Sequence, residues 1–141
     1  MQSLRDRLRE LGRELAARES EHASALEVAR SQAESLRAAV ALALEGWHEA
    51  VTAAGAPHLA VRIGELRPDD KHIRAVEFDL VRGRHRAIVT VKARGDVTLV
   101  GPFHAGKTEG PCKSFPFGAD AEIQKALGAF LERFLTEAAS P

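Results

Sequence analysis

The stretch from Ser3 to about Ala54 contains no proline, and its only interior glycines are Gly12 and Gly46. Ala, Leu, Glu and Arg dominate it, and all four favour helix. Gly55 and Pro57 follow; glycine suits the left-handed position after a helix, and proline cannot continue one. The pattern predicts one helix of about 52 residues, roughly 78 Å long at 1.5 Å per residue. A domain made from the remaining ~90 residues is far narrower than that. Part of the helix must project, and a projecting helix needs a partner for its apolar stripe.

The stripe has two sections. Leu4, Leu8, Leu11 and Leu15 step by four, three and four, the a/d rhythm of a coiled coil. That rhythm then meets Arg18, His22, Ala25 and Ala29, a poor seam. The second section is Leu26, Ala29, Ala33, Leu36, Val40, Leu44, Trp47 and Val51. It is stronger and is assigned to packing on the chain's own sheet. Residues 1–25 are therefore read as a projecting helical stem for oligomerisation and 26–141 as the folded domain. The competing reading is a frayed, solvated extension, since two heptads are marginal alone.

After Pro57 the period changes to two. Leu59, Val61 and Ile63 alternate with Ala60, Arg62 and Gly64, and Arg67-Pro68-Asp69-Asp70 reads as a turn. A two-residue hairpin loop at Gly83-Arg84 pairs Leu80 with Ala87, Phe78 with Val89 and Val76 with Val91, all apolar. A one-residue slip would mix the faces, so the pattern fixes the register. A three-residue loop, Arg94-Gly95-Asp96, then pairs Ala93 with Val97, Val91 with Leu99 and Ala87 with Phe103. Residues 104–118 hold several glycines and prolines and read as a long loop pinned by Phe115 and Phe117. From Asp120, a plausible N-cap, Ile123, Leu127, Phe130, Phe134 and Ala138 form a helical stripe. The expected fold is α+β: a long N-terminal helix, a four-stranded antiparallel meander, and a C-terminal helix packed on one face of the sheet. The order of elements is similar to that of small α+β modules such as the RWD type, which often sit at the end of a coiled coil; the likeness lies in element order alone and assigns no family.

Composition excludes several classes. Lys+Arg and Asp+Glu number 20 each, so the chain is not a generally basic nucleic-acid binder. Cys112 is the sole cysteine, which precludes an intramolecular disulfide framework. No apolar run approaches the ~20 residues that span a bilayer, and the opening MQSLRDRLRE lacks the apolar centre of a signal peptide. A cytoplasmic protein with no membrane partner is expected.

Gly101-Pro102-Phe103-His104-Ala105-Gly106-Lys107-Thr108 matches the P-loop letters G-x-x-x-x-G-K-[ST]. The chemistry also needs a helix opening at Lys107, and Gly110-Pro111 stops any such helix within a turn. A structural loop is expected, with anion binding by Lys107 as the lesser possibility. Cys112 has Lys113 and His104 nearby in sequence but no third group to build a catalytic site. The six histidines, His22, His48, His58, His72, His85 and His104, include no metal-binding spacing. No catalytic residue, cofactor or metal is expected.

Charge is mildly segregated. Residues 58–115 hold 11 Lys/Arg and 7 Asp/Glu, and Arg82, Arg84 and Arg86 crowd the hairpin tip. Such a patch can touch phosphates, but the nearby aromatics Phe78 and Phe103 fall on the apolar face, which argues against base stacking. These arginines are read as partner or phosphate contacts, or as neutralising Glu77 and Asp79 across strands. The functional expectation is a non-catalytic protein-interaction or scaffold module, homodimeric through Leu4, Leu8, Leu11 and Leu15, with an unknown protein partner; the alternative is a nucleic-acid-associated protein using the hairpin. Burying each leucine is worth roughly 1.5–3 kcal/mol, against ~4–15 kcal/mol lost on association. The stem alone then gives weak association, and a stable oligomer would also recruit Ala25, Ala29 and the helix beyond, or part of the sheet.

Overall fold

The computed structural model describes residues 2–68, 74–104, 106 and 110–140. Helix α1 runs unbroken over Leu4–Ala53, about 75 Å at its ordinary rise. The Ser3 side chain caps it by accepting from the Asp6 N–H at 3.1 Å. Its other end closes as the glycine predicts. Gly55 has φ +77°, the Gly55 N–H donates to Thr52 O, and the Ala56 N–H donates to Val51 O. That pair of bonds is a Schellman closure and satisfies carbonyls the helix leaves open.

Six strands form one antiparallel sheet among the described residues: β1 (Arg62–Ile63), β2 (Arg67–Pro68), β3 (Ala75–Arg82), β4 (His85–Lys92), β5 (Asp96–His104) and β6 (Cys112–Pro116). Their order is β1-β3-β4-β5-β6, with β2 also on β3. Helix α2 (Asp120–Ala138) closes the chain. Val76, Phe78 and Leu80 of β3, Ala87, Val89 and Val91 of β4, and Val97 and Leu99 of β5 are buried on one face. α1 lies on β3 and β4, and α2 on β4 and β5. The core fills between them with Ala29, Ala33, Leu36, Val40 and Leu44 from α1 and Ile123, Leu127, Phe130 and Phe134 from α2. The architecture is α+β with one sheet face covered.

The β3–β4 hairpin has the register its apolar pairs dictate, Leu80 opposite Ala87 and Phe78 opposite Val89. Elsewhere the expected details change. The strands number six, not four, because two-residue strands β1 and β2 edge β3 and because β6 occupies part of the expected 104–118 loop. Among the described residues β6 is an outer strand paired only to β5, where Pro111 just before it and Pro116 at its end are tolerated; its Phe115 does pack on the core, as does Phe117. The β4–β5 loop is Ala93-Arg94-Gly95, not Arg94-Gly95-Asp96: Lys92 pairs with Asp96, and Val91 with Val97. Gly95 sets this, since a three-residue loop wants a positive φ at its last position, and Gly95 has φ +107°. The shift is even, so the faces are unchanged. A bulge then sets Gly101 and Pro102 between the pairs Ile88–Val100 and Arg86–Phe103, so Phe103 opposes Arg86 and not Ala87. Leu59 belongs to a 3-10 turn, Pro57–Leu59, and not to a strand. Arg67 and Pro68, expected in a turn, pair with Glu77 and Val76; Asp69 and Asp70 lie outside the described residues. Asp120 is the first residue of α2 and Ala119 its cap; the carboxylate instead sits in the first turn, where the helix dipole favours it.

Candidate functional site

The two sections of the α1 stripe meet different fates. Every described residue from Gln2 to Glu21 is exposed. Leu4, Leu8, Leu11 and Leu15 remain 67, 57, 46 and 50% exposed, whereas Ala29 and Ala33 are 0% exposed. Ion pairs on the stem, such as Arg18–Glu14 at 2.8 Å and Arg9–Asp6 at 3.9 Å, lie within the helix itself. Ala29 and the helix beyond it are taken up by the chain's own core, so the leucine seam cannot be lengthened in that direction. His22 stands at the junction; its Nδ1 is buried without a hydrogen-bond partner among the described residues, with Glu19 Oε2 at 3.9 Å.

Arg82, Arg84 and Arg86 do not form one patch. Alternation along a strand sends Arg82 and Arg86 to opposite sheet faces. Arg82 turns to the helix side, where it donates to the carbonyls of His58 and Ala138. Arg86 turns to the uncovered face and donates to Asp79 Oδ2 through Nη2 at 2.8 Å and Nε at 3.2 Å. Arg84, in the turn, is exposed. Beside this tip the rings of His85 and His104 meet edge to face, 4.9 Å apart.

Asp79 is the centre of the uncovered face. It is 6% exposed although, among the described residues, no helix lies over it. Arg67 approaches the same Oδ2 at 3.5 Å and also grips Glu77 at 2.9 Å. Burial alone would raise the Asp79 pKa; the hydrogen bond from Arg86 and the charges of Arg67 and Arg86 outweigh it and hold the carboxyl below its ordinary value. Gly64 makes the close packing possible, since a Cβ there would collide with Asp79 Oδ1. The cross-strand neutralisation of Asp79 by Arg86 was visible in the sequence; the added contact from Arg67 was not, because a strand at Arg67 was not expected.

The other candidates separate. Gly101, Pro102, Phe103 and His104 of the P-loop letters belong to β5, with Gly101 and Pro102 buried; Lys107, Thr108 and Ala105 lie outside the described residues, as does His72. The chain next described enters β6, not a helix. Cys112 is exposed on that edge strand. It borders a groove of about 160 Å³ between α2 and the sheet, lined by Leu99, Pro111, Lys113, Phe130 and Arg133 among others. Reading 104–118 as loop hid this groove; the clue was Phe115 and Phe117 two residues apart. Among the described residues no group of three His, Cys, Asp or Glu side chains is placed to hold a metal, and no helix is long and apolar enough to cross a membrane. Comparison of the chain with protein-family models, curated proteins and solved structures finds no match.

Proposed function

We propose that this chain is a non-catalytic interaction or scaffold module. It acts as a homodimer through a stem of residues 1–25 that carries the α+β domain, 26–141, to a further protein partner. The observation behind this reading is the bare leucine stripe: four large apolar side chains on one helix face, all about half exposed or more. Each gains about half of a full burial, so eight leucines contribute roughly 6–12 kcal/mol against ~4–15 kcal/mol for association. A weak, reversible dimer is the expected result. Asp79 supports the non-catalytic part of the reading, because a carboxylate clamped by two arginines suits an ion pair better than proton transfer. A cytoplasmic setting suits a chain whose single thiol is exposed.

Nucleic-acid binding by the hairpin is the weaker reading, since Arg82 and Arg86 face opposite ways and are engaged internally. Sedimentation velocity over a micromolar dilution series tests the main reading. A concentration-dependent monomer–dimer boundary is expected. A single monomeric boundary throughout would remove the homodimer and leave the stem as a tail or a docking segment for another protein.

A further inference from the structure

We infer that two copies pair antiparallel along their stems, with the two-fold axis between Arg9 and Glu10 and the two sheets at opposite ends of the dimer. This rests on the homodimer reading above and adds to it the geometry of the pair.

The stripe itself supplies the first reason. At about 100° per residue, Leu4, Leu8, Leu11 and Leu15 fall in the same sector of α1 as Ala29, Ala33, Leu36, Val40 and Leu44. The face that is bare on the stem is the face that the chain's own sheet covers further along. A parallel partner helix would lie about 8–10 Å away on that face and run on toward its own domain. From Leu26 onward that face packs into the chain's own core, where the strands against α1 are β3 and β4. An antiparallel partner runs the other way. Its helix is capped at Ser3, beside the first chain's Leu15, and so meets no sheet.

Charge supplies the second. With Leu4 and Leu11 at d and Leu8 and Leu15 at a, Arg7 and Glu14 occupy g while Arg5, Gly12 and Glu19 occupy e. In a parallel pair, g faces the next e of its neighbour, which sets Glu14 against Glu19 of the partner subunit. It also opposes Arg18, at d, to its own copy. In the antiparallel pair, Leu4 stacks with Leu15 of the partner subunit and Leu8 with Leu11 of the partner subunit, so all eight leucines form four layers. Arg7 then lies about 3 Å in height from Glu14 of the partner subunit, and side chains tilted toward their own N-termini lean together. Arg5 reaches toward Glu19 of the partner subunit. Arg5 and Arg7 make no ion pair within their own chain among the described residues, whereas Arg9 and Arg18 do. Arg18 and His22 fall outside the leucine layers.

Disulfide trapping of the full chain in a Cys112→Ser background tests the arrangement. A Leu4→Cys chain and a tagged Leu15→Cys chain are mixed in a glutathione redox buffer. The mixed disulfide is expected in large excess over either self-linked dimer. A statistical mixture, an excess of self-linked dimers, or no cross-link while the parent chain is dimeric overturns the antiparallel arrangement. Charge reversal reads the same geometry without cysteine. Glu14→Arg should weaken the dimer several-fold, and Arg7→Glu added to it should restore it. Tighter association of Glu14→Arg, as a parallel pair requires, overturns it. A monomeric parent chain throughout the sedimentation series overturns both this geometry and the homodimer reading, whereas a dimer that is self-linked overturns the geometry alone.

Discussion

One helix, α1, carries two apolar stripes on a single face, and only one of them is buried. From Ala29 to Val51 the stripe disappears under the sheet, and from Leu4 to Leu15 it lies in water. The helix-forming residues are alike in the two halves, so helix propensity does not separate them. Side-chain size does. The buried stripe opens with two alanines, Ala29 and Ala33, and continues with Leu36, Val40 and Leu44, all within the core. The stem has leucine at all four positions, a set matched to a facing helix rather than to a sheet. The uncovered face of the sheet makes a third case. Arg67 and Arg86 satisfy Asp79 within the chain, so that surface needs no partner, whereas the stem leucines have no such internal solution.

The sharpest way to break this contrast is to place the same charge on both stripes. Val40→Asp puts a carboxylate where no water reaches and should cost several kcal/mol, a large share of the ~5–15 kcal/mol that holds a domain together. Leu8→Asp should leave the unfolding free energy within about 0.5 kcal/mol when measured by urea denaturation at concentrations that keep the chain monomeric. Similar losses from the two substitutions would mean that the stem is part of the folded core.

Smaller effects should come from the uncovered sheet face. Gly64→Ala displaces the Asp79 carboxylate and should cost roughly 1–3 kcal/mol. The linked prediction concerns pH. Because folding lowers the Asp79 pKa below its ordinary 3.8, the carboxylate contributes stability that is fully present above that value and is lost as pH falls through the lower folded value. Asp79→Asn should therefore show a flatter stability profile in that acid range than the parent chain, in denaturation curves at stepped pH. An unchanged acid slope would show that the cluster is not coupled to folding.

The smallest change expected is at the hairpin tip. Arg84→Ala should alter stability by no more than about 0.5 kcal/mol, while Arg82→Ala and Arg86→Ala each lose internal hydrogen bonds worth roughly 0.5–1.5 kcal/mol. Equal, negligible losses at all three positions in thermal melts would restore the hairpin as a free cationic surface.

Much of the fold was legible because long-range order here follows local pattern. Gly55-Pro57 stops α1, and the Phe78–Val89 and Leu80–Ala87 pairs fix the central hairpin. Short-range geometry was harder to read. Gly95 can sit in either of two three-residue loops that keep the faces intact, and only the turn closing from the Gly95 N–H to Lys92 O selects one. β6 was hidden because Pro111, Pro116 and the surrounding glycines look like loop, although an edge strand tolerates them. The hairpin arginines show how proximity in sequence misleads: Arg82 and Arg86 stand four apart, yet the two-residue turn between their strands sends one to each face. The stem was legible as a stripe, but that it shares its face with the core stripe matters only once β3 and β4 are seen to occupy that face.

The bare stripe is the centre of this account, and light scattering on the intact chain tests it most directly. At micromolar concentration the mass should rise toward twice the 15.3 kDa of the chain. Leu8→Asp combined with Leu11→Asp should return it to that of one chain with the helix and sheet signals of the domain retained. A mass of 15.3 kDa for the parent chain across the range, or a dimer indifferent to the double substitution, would contradict it.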